Sequence, residues 1–100
     1  MELLLLSLLE DKPRHGYEIG RQIEEKSGGR LQFRVSSMYP VLCRMEDRGW
    51  IKGYWVEKPG ERRRKFYELT PKGEKALAEQ RETWEEFKAA LTPILDSNSA

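Results

Sequence analysis

Val35-Ser36-Ser37-Met38-Tyr39-Pro40-Val41-Leu42-Cys43-Arg44-Met45-Glu46-Asp47-Arg48-Gly49-Trp50 runs into Ile51-Lys52-Gly53-Tyr54-Trp55-Val56. Beyond a Pro59-Gly60 pair follow Arg62-Arg63-Arg64-Lys65-Phe66-Tyr67-Glu68-Leu69. This order predicts a short helix and then two aromatic strands joined at a basic tip, the arrangement of a recognition helix and a wing. Four adjacent cations resist burial, so Arg62, Arg63, Arg64 and Lys65 are expected in solvent. The usual acceptor for so concentrated a positive charge is a phosphate backbone.

Within the first part, Met38, Leu42 and Met45 recur at helical spacing and read as core. Ser37, Pro40, Arg44 and Arg48 fall on the opposite face, with Tyr39 at its edge. Ser36 is the expected N-cap, and Pro40 is expected just inside the helix start, where its missing amide does little harm. Hydroxyl and guanidinium groups near the amino end of such a helix suit phosphates and base edges, and the Pro40 ring suits a thymine methyl. Tyr39 has two readings, a core aromatic between helix and sheet or a hydroxyl aimed at a phosphate. Gly49 closes the helix as its left-handed cap. The strands are expected over 50–57 and 62–69, with Pro59-Gly60 at the centre of a type II turn. Trp50, Ile51, Trp55, Phe66 and Tyr67 are expected mostly in the core.

Upstream, residues 2–10 form an apolar helix interrupted only by Ser7, more apolar surface than one small core covers, which implies a second chain. The run Leu3 to Leu9 falls short of the roughly 20 residues that span a bilayer and lacks a basic leader, so a buried helix is expected rather than a membrane segment. A second helix is expected over 14–26, with Gly16, Ile19, Gly20 and Ile23 on one side. Gly16 and Gly20 stand one turn apart and mark either a close helix approach or ordinary tolerated glycines. Ser27-Gly28-Gly29 ends that helix, and the alternation of Leu31 and Phe33 predicts a very short strand.

Downstream, Thr70 caps a last helix that Pro71 opens and that continues to about residue 91 or 95, with Pro93 kinking or ending it. Leu77, Trp84 and Leu91 fall seven apart, and so do Gln80, Phe87 and Ile94. That narrow stripe suits a helix seam, either with another chain or with this chain's own core. Residues 97–100 are expected to fray.

Composition sets the bounds. One hundred residues, 38% hydrophobic and 35% charged, suit one small domain without room for a deep pocket. Net charge is only +1, but residues 58–65 hold five basic groups against one acid, while 74–90 hold five acids against three bases. One end of the molecule attracts phosphate and the other repels it. With His15 and Cys43 as the sole residues of their kinds, no metal-ligand set or Cys/His nucleophile pair has useful spacing. No enzyme, metal or cofactor is expected, and the single cysteine fits a reducing cytoplasm.

Taken in order, His15-Gly16-Tyr17-Glu18-Ile19, then residues 36–51, then Arg62 to Gly73 with Tyr67-Glu68-Leu69-Thr70-Pro71, resemble the PadR-like transcriptional regulators across nearly the whole chain. Together at this spacing the motifs are specific, and the short C-terminal segment resembles the subgroup with a single dimerisation helix. The resemblance implies an α+β, mainly helical fold, a winged helix-turn-helix over 1–70 with an added dimerisation helix over 71–96. It implies a cytoplasmic homodimer, commonly a repressor, on double-stranded DNA at a pseudo-palindromic operator. The last helix would cross onto the partner's first helix, giving Leu4, Leu5, Leu8, Leu77, Trp84, Phe87 and Leu91 as interface residues. Members of the family usually carry a longer segment before the leucine run, so helix 1 is expected to be short here. Some members bind flat hydrophobic effectors between tryptophans at the dimer centre, a part that Trp84 could take. The expected DNA-binding residues are Ser36, Ser37, Tyr39, Pro40, Arg44, Arg62, Arg63, Arg64 and Lys65. A rival reading from the residues alone is a winged helix that docks an acidic protein partner through the same arginines.

Overall fold

The computed structural model describes residues 1–96; the fraying expected at 97–100 lies outside the described residues. Along the chain run α1 (Glu2–Leu8), β1 (Arg14–His15), α2 (Gly16–Lys26), α3 (Val35–Asp47), β2 (Ile51–Val56), β3 (Arg64–Leu69) and α4 (Pro71–Leu95). The strands form one antiparallel sheet in the order β1-β3-β2. In its register Ile51 faces Leu69, Tyr54 faces Phe66 and His15 faces Phe66 from the other edge. This is a winged helix with a long C-terminal helix, as the order of elements implied.

The core joins Leu5 and Leu6 of α1, Ile19 and Ile23 of α2, Met38, Leu42 and Met45 of α3, Ile51, Tyr67 and Leu77. The α3 stripe is therefore where its spacing placed it. Each such side chain contributes about 1.5–3 kcal/mol when fully removed from water. Three local devices fix the angles between elements. Gly49 adopts φ +76° at the end of α3, with the Trp50 amide donating to the Met45 carbonyl at 3.0 Å and the Gly49 amide to Glu46 at 3.0 Å. That pair of bonds is the Schellman closure. At the wing tip, Gly60 has φ +77° and the Glu61 amide donates to the Lys58 carbonyl at 3.0 Å, as a type II turn requires. Thr70 caps α4, its hydroxyl accepting from the Gly73 amide at 3.0 Å while donating toward the Gly49 carbonyl at 2.6 Å.

Several expectations are corrected. α1 ends at Leu8 rather than at residue 10, and α2, α3 and α4 of the same chain pack around it. Leu5, Leu8 and Leu77, expected at a dimer seam, are consequently buried in the chain's own core, and of the three α1 leucines expected there Leu4 alone keeps partial exposure. The short strand is not at Leu31 and Phe33, which lie in irregular chain. It is Arg14–His15, which adds to the free edge of β3 and shortens the helix expected from residue 14. Ser36 is not the cap of α3, because Arg34 holds that position without a side-chain bond. Pro40 therefore sits inside the helix rather than at its start; Pro93 does not end α4, which reaches Leu95, the farther of its two expected ends. Trp55 is 56% exposed: it shares with its strand partner Lys65 the face of the sheet that α3 meets, but stands farther out toward the wing tip. Trp50 and Phe66 are half-buried.

Of the two helical glycines, Gly20 marks a close approach. A β-carbon there would lie 3.3 Å from Met38 Cε and from the Phe33 carbonyl oxygen, whereas one at Gly16 would meet nothing nearer than 3.9 Å.

Candidate nucleic-acid interface

α3 buries Met38, Val41, Leu42 and Met45 and leaves Ser36, Ser37, Tyr39, Pro40 and Arg44 exposed on its other side. Tyr39 is 51% exposed, so it is not a core aromatic. The face is made by helical period: Met38, Val41, Leu42 and Met45 recur at three- and four-residue spacing on the buried side, and Ser37, Pro40 and Arg44 fall opposite them.

The four wing cations do not behave alike. Arg62, Arg63 and Arg64 are exposed. Arg62 has no acidic partner among the described residues, and the Arg63 guanidinium lies 4.3 Å over the Trp55 ring. Trp55 thus has a purpose outside the core, as the platform that keeps Arg63 extended. Lys65 departs from expectation: strand alternation turns it toward α3, where its Nζ lies 3.3 Å from Glu46 Oε1 and 5.5 Å over the Tyr67 ring. It fastens wing to helix. Burial, with Tyr39, Glu46 and Cys43 nearby, pushes the Tyr67 hydroxyl up to about 12, so it stays neutral.

Between the wing, the start of α2 and the amino end of α3 lies a hollow of about 410 Å³, lined in part by Tyr17, Tyr39, Trp55, Arg62 and Arg64. The recognition helix and the wing thus share one surface with aromatic walls and a cationic rim. Tyr17, 65% exposed, and Arg21 and Arg34 extend that surface along α2 and the start of α3. Sequence reasoning assigned none of these a role. For Tyr17 the signal was present in the 15–19 motif; Arg34 follows the Leu31 and Phe33 stretch, where a strand was expected and none forms.

Arg14 was also missed. It is 5% exposed, and its guanidinium donates to the Leu8 carbonyl at 2.8 Å, to Glu18 at 2.8 Å and to Asp11 at 3.2 Å. It ties the end of α1 to the start of α2. Beside it His15 caps α2, its Nδ1 accepting from the Glu18 amide at 3.2 Å, and its Nε2 lies 3.2 Å from Arg64. Burial lowers the affinity of His15 for a proton, as do Arg64 and Arg21, while Glu18 raises it.

The C-terminal helix supplies the other conspicuous surface. Trp84 and Phe87 stack at 6.0 Å between ring centres, 45% and 54% exposed. Leu91 is half-buried and Ile94 is exposed. Arg81 meets Glu10 through two 2.9 Å bonds, which aligns the outer half of α4 with α1. No described helix is long and apolar enough to cross a membrane, and the described residues contain no group of three or more His, Cys, Asp or Glu able to hold a metal.

A winged helix-turn-helix whose recognition helix and basic wing share one exposed face belongs, by class, with nucleic-acid-binding regulators. The chain is a member of the PadR-like family of transcriptional regulators, whose family model matches residues 5–79. A transcriptional regulator from Clostridium thermocellum is 32% identical and superposes with a TM-score of 0.85, over 92% of this chain and 89% of that one. A PadR family regulator from Clostridium difficile R20291 is 34% identical with a TM-score of 0.81, covering 94% and 96% of the two chains. Bacillus subtilis PadR, solved in complex with operator DNA, is 26% identical with a TM-score of 0.71, over 79% of this chain and 45% of that protein.

Proposed function

We propose that this regulator is a repressor that binds a pseudo-palindromic operator as a homodimer in the cytoplasm, with residues 1–70 as the reading head and 71–96 as the pairing helix. One observation carries the reading: the polar face of α3, with Ser36, Ser37, Tyr39, Pro40 and Arg44 exposed, adjoins a wing whose Arg62 lacks an acidic partner among the described residues. A helix that merely filled the domain would not need an exposed face of hydroxyls and a guanidinium beside such a wing. The operator complex of the Bacillus subtilis relative supports the same assignment.

In this reading α3 enters the major groove and supplies register and base choice, while Arg62, Arg63 and Arg64 contact phosphates without sequence information. Lys65, turned onto Glu46, sets the angle between the two instead. Two reading heads fit half-sites about one helical turn apart, roughly 34 Å. Trp84, Phe87, Leu91 and Leu4 form the dimer seam, and a flat hydrophobic effector at Trp84 would release DNA by changing how α4 packs and hence the spacing of the heads.

Fluorescence anisotropy of a labelled duplex from the protein's own upstream region, against a scrambled duplex, tests this. Tight binding to the upstream region alone, with two chains per duplex, is expected. Equal binding to both would reduce the wing to a generic attraction for phosphate, and no binding would favour the acidic protein partner.

A further inference from the structure

His15 is the sole histidine of the chain and stands where three elements meet. It ends β1, caps α2 and faces the first residues of β3, at the base of the wing. Its ring sits edge-on to Phe66 at 5.2 Å and its side chain is 15% exposed. Two donors approach that ring from opposite sides, the Glu18 amide at Nδ1 and the Arg64 guanidinium at Nε2, each at 3.2 Å. A neutral imidazole has only one lone pair to offer, because its other nitrogen carries the proton. The cap of α2 and the anchoring of Arg64 therefore compete for the same acceptor.

We propose that His15 is the positioning residue of the wing: in the free protein its imidazole holds Arg64, and when a DNA phosphate takes Arg64 away, the ring binds a proton from solvent. The proposal rests on the DNA-binding reading above. The proton adds to a ring lone pair and no other bond is made or broken. The direction follows from the charges around the ring. Arg64 on β3 and Arg21 on α2 oppose a second positive charge, Glu18 on α2 favours one, and burial opposes it. Lys58, Glu61 and Arg62 of the wing line the hollow of about 370 Å³ that His15 and Arg64 share; Arg14 and Tyr17 flank the ring in sequence, and Lys65, Tyr39 and Tyr67 line the neighbouring hollow. A phosphate that engages Arg64 cancels the nearest opposing charge and adds a negative one. Protonation costs whichever bond the ring's lone pair is making, the one to Arg64 in the free protein and the cap of α2 in the bound one, so the balance of charge around the ring sets the direction. Binding must then take up protons, and by linkage affinity must rise as pH falls.

A single histidine makes the test direct. The imidazole resonances of His15 are titrated by NMR with the full chain, alone and with an excess of a labelled 20-base-pair duplex at low salt. The midpoint is expected to rise on binding by about half a pH unit or more, which corresponds to roughly threefold tighter binding at low pH. Anisotropy with the same duplex should show that tightening in the wild type and a flat profile in His15→Asn, which keeps a good N-cap and cannot titrate in this range. Arg64→Gln should raise the midpoint of the free protein and remove most of the further rise. A midpoint unchanged or lowered by a duplex that does bind would overturn the proposal and leave DNA binding standing. Failure to bind duplex at any pH would remove the DNA-binding reading, and the proposal with it.

Discussion

The Trp50 carbonyl oxygen fills the space in which Gly73 would carry a side chain: a β-carbon on Gly73 would overlap that oxygen and lie 2.8 Å from Leu69 Cδ1. The first turn of α4 is thereby seated on the corner between α3 and β2, where the Thr70 amide also donates to the Trp50 carbonyl at 3.0 Å. Because the neighbour is backbone, it cannot rotate away. Gly73→Ala is expected to destabilise the protein by about 2 kcal/mol or more, beyond the small gain in helix propensity. Urea unfolding followed by circular dichroism measures it; a variant as stable as wild type would mean that α4 can lift off this corner without loss.

That corner was legible in the sequence because its parts are local. Asp47-Arg48-Gly49 and Thr70-Pro71 are chemical punctuation: glycine adopts φ +76° without the steric cost a β-carbon brings, and threonine followed by proline offers an acceptor and a preset φ to a starting helix. The α3 stripe was legible for the same reason of period. What sequence could not show depends on partners distant along the chain. A two-residue strand such as β1 has no period, and it exists only because β3 offers it an edge. The burial of Leu5 and Leu8 depends on three helices closing around α1. The inward turn of Lys65 depends on Glu46, nineteen residues away.

Arg14 is a buried cation whose removal strands several partners at once. Arg14→Ala leaves the Leu8 carbonyl without its donor and separates the Glu18 carboxylate from its 2.8 Å partner. A loss of about 3 kcal/mol is expected, at the low end for a broken buried pair because Asp11 and part of Glu18 remain in water. Arg14→Lys should recover only part of it, since one ammonium cannot reach all three acceptors. Equal stability of wild type and Arg14→Ala in thermal unfolding would refute the assignment.

Stability should depend on pH through His15 in a defined direction. Its proton affinity is lowered in the fold by burial, Arg64 and Arg21, so the unfolded chain holds more protons at mildly acidic pH. Stability is then fully present above the ordinary imidazole value of 6.5 and is lost as pH falls through the lower value of the folded protein. A second loss is expected below 4.5, where Glu10, held under that value by its hydrogen bond from Arg81, takes a proton. Midpoints of thermal unfolding across pH should show both steps in the wild type and only the lower one in His15→Asn.

The wing arginines are expected to act without regard to sequence. Replacing Arg62 and Arg63 by Ala should weaken operator and scrambled duplex by the same factor. It should also flatten the slope of log affinity against log salt by roughly 0.9 for each phosphate that is no longer neutralised. Lys65→Ala should differ. Its charge faces Glu46, so the variant should alter the angle of the wing and reduce discrimination with little change in salt slope. A salt slope that falls as far for Lys65→Ala as for the arginines would place Lys65 on phosphate after all.

In the proposed dimer the outer half of α4 serves the pairing of chains and not the fold of one chain. Every residue from Arg81 to Ala90 is exposed, so Trp84 and Phe87 contribute little to the core. In the proposed dimer their stacked rings would anchor the seam, since large rigid aromatics cover much area for few lost rotamers. Trp84→Asp is expected to leave the far-ultraviolet spectrum and the packing of residues 1–77 intact while weakening dimerisation by at least about tenfold in sedimentation equilibrium. Binding of the double operator should fall with it, and binding of a single half-site should not. An unchanged dimer constant would remove Trp84 from the seam and return the stripe on α4 to some other partner.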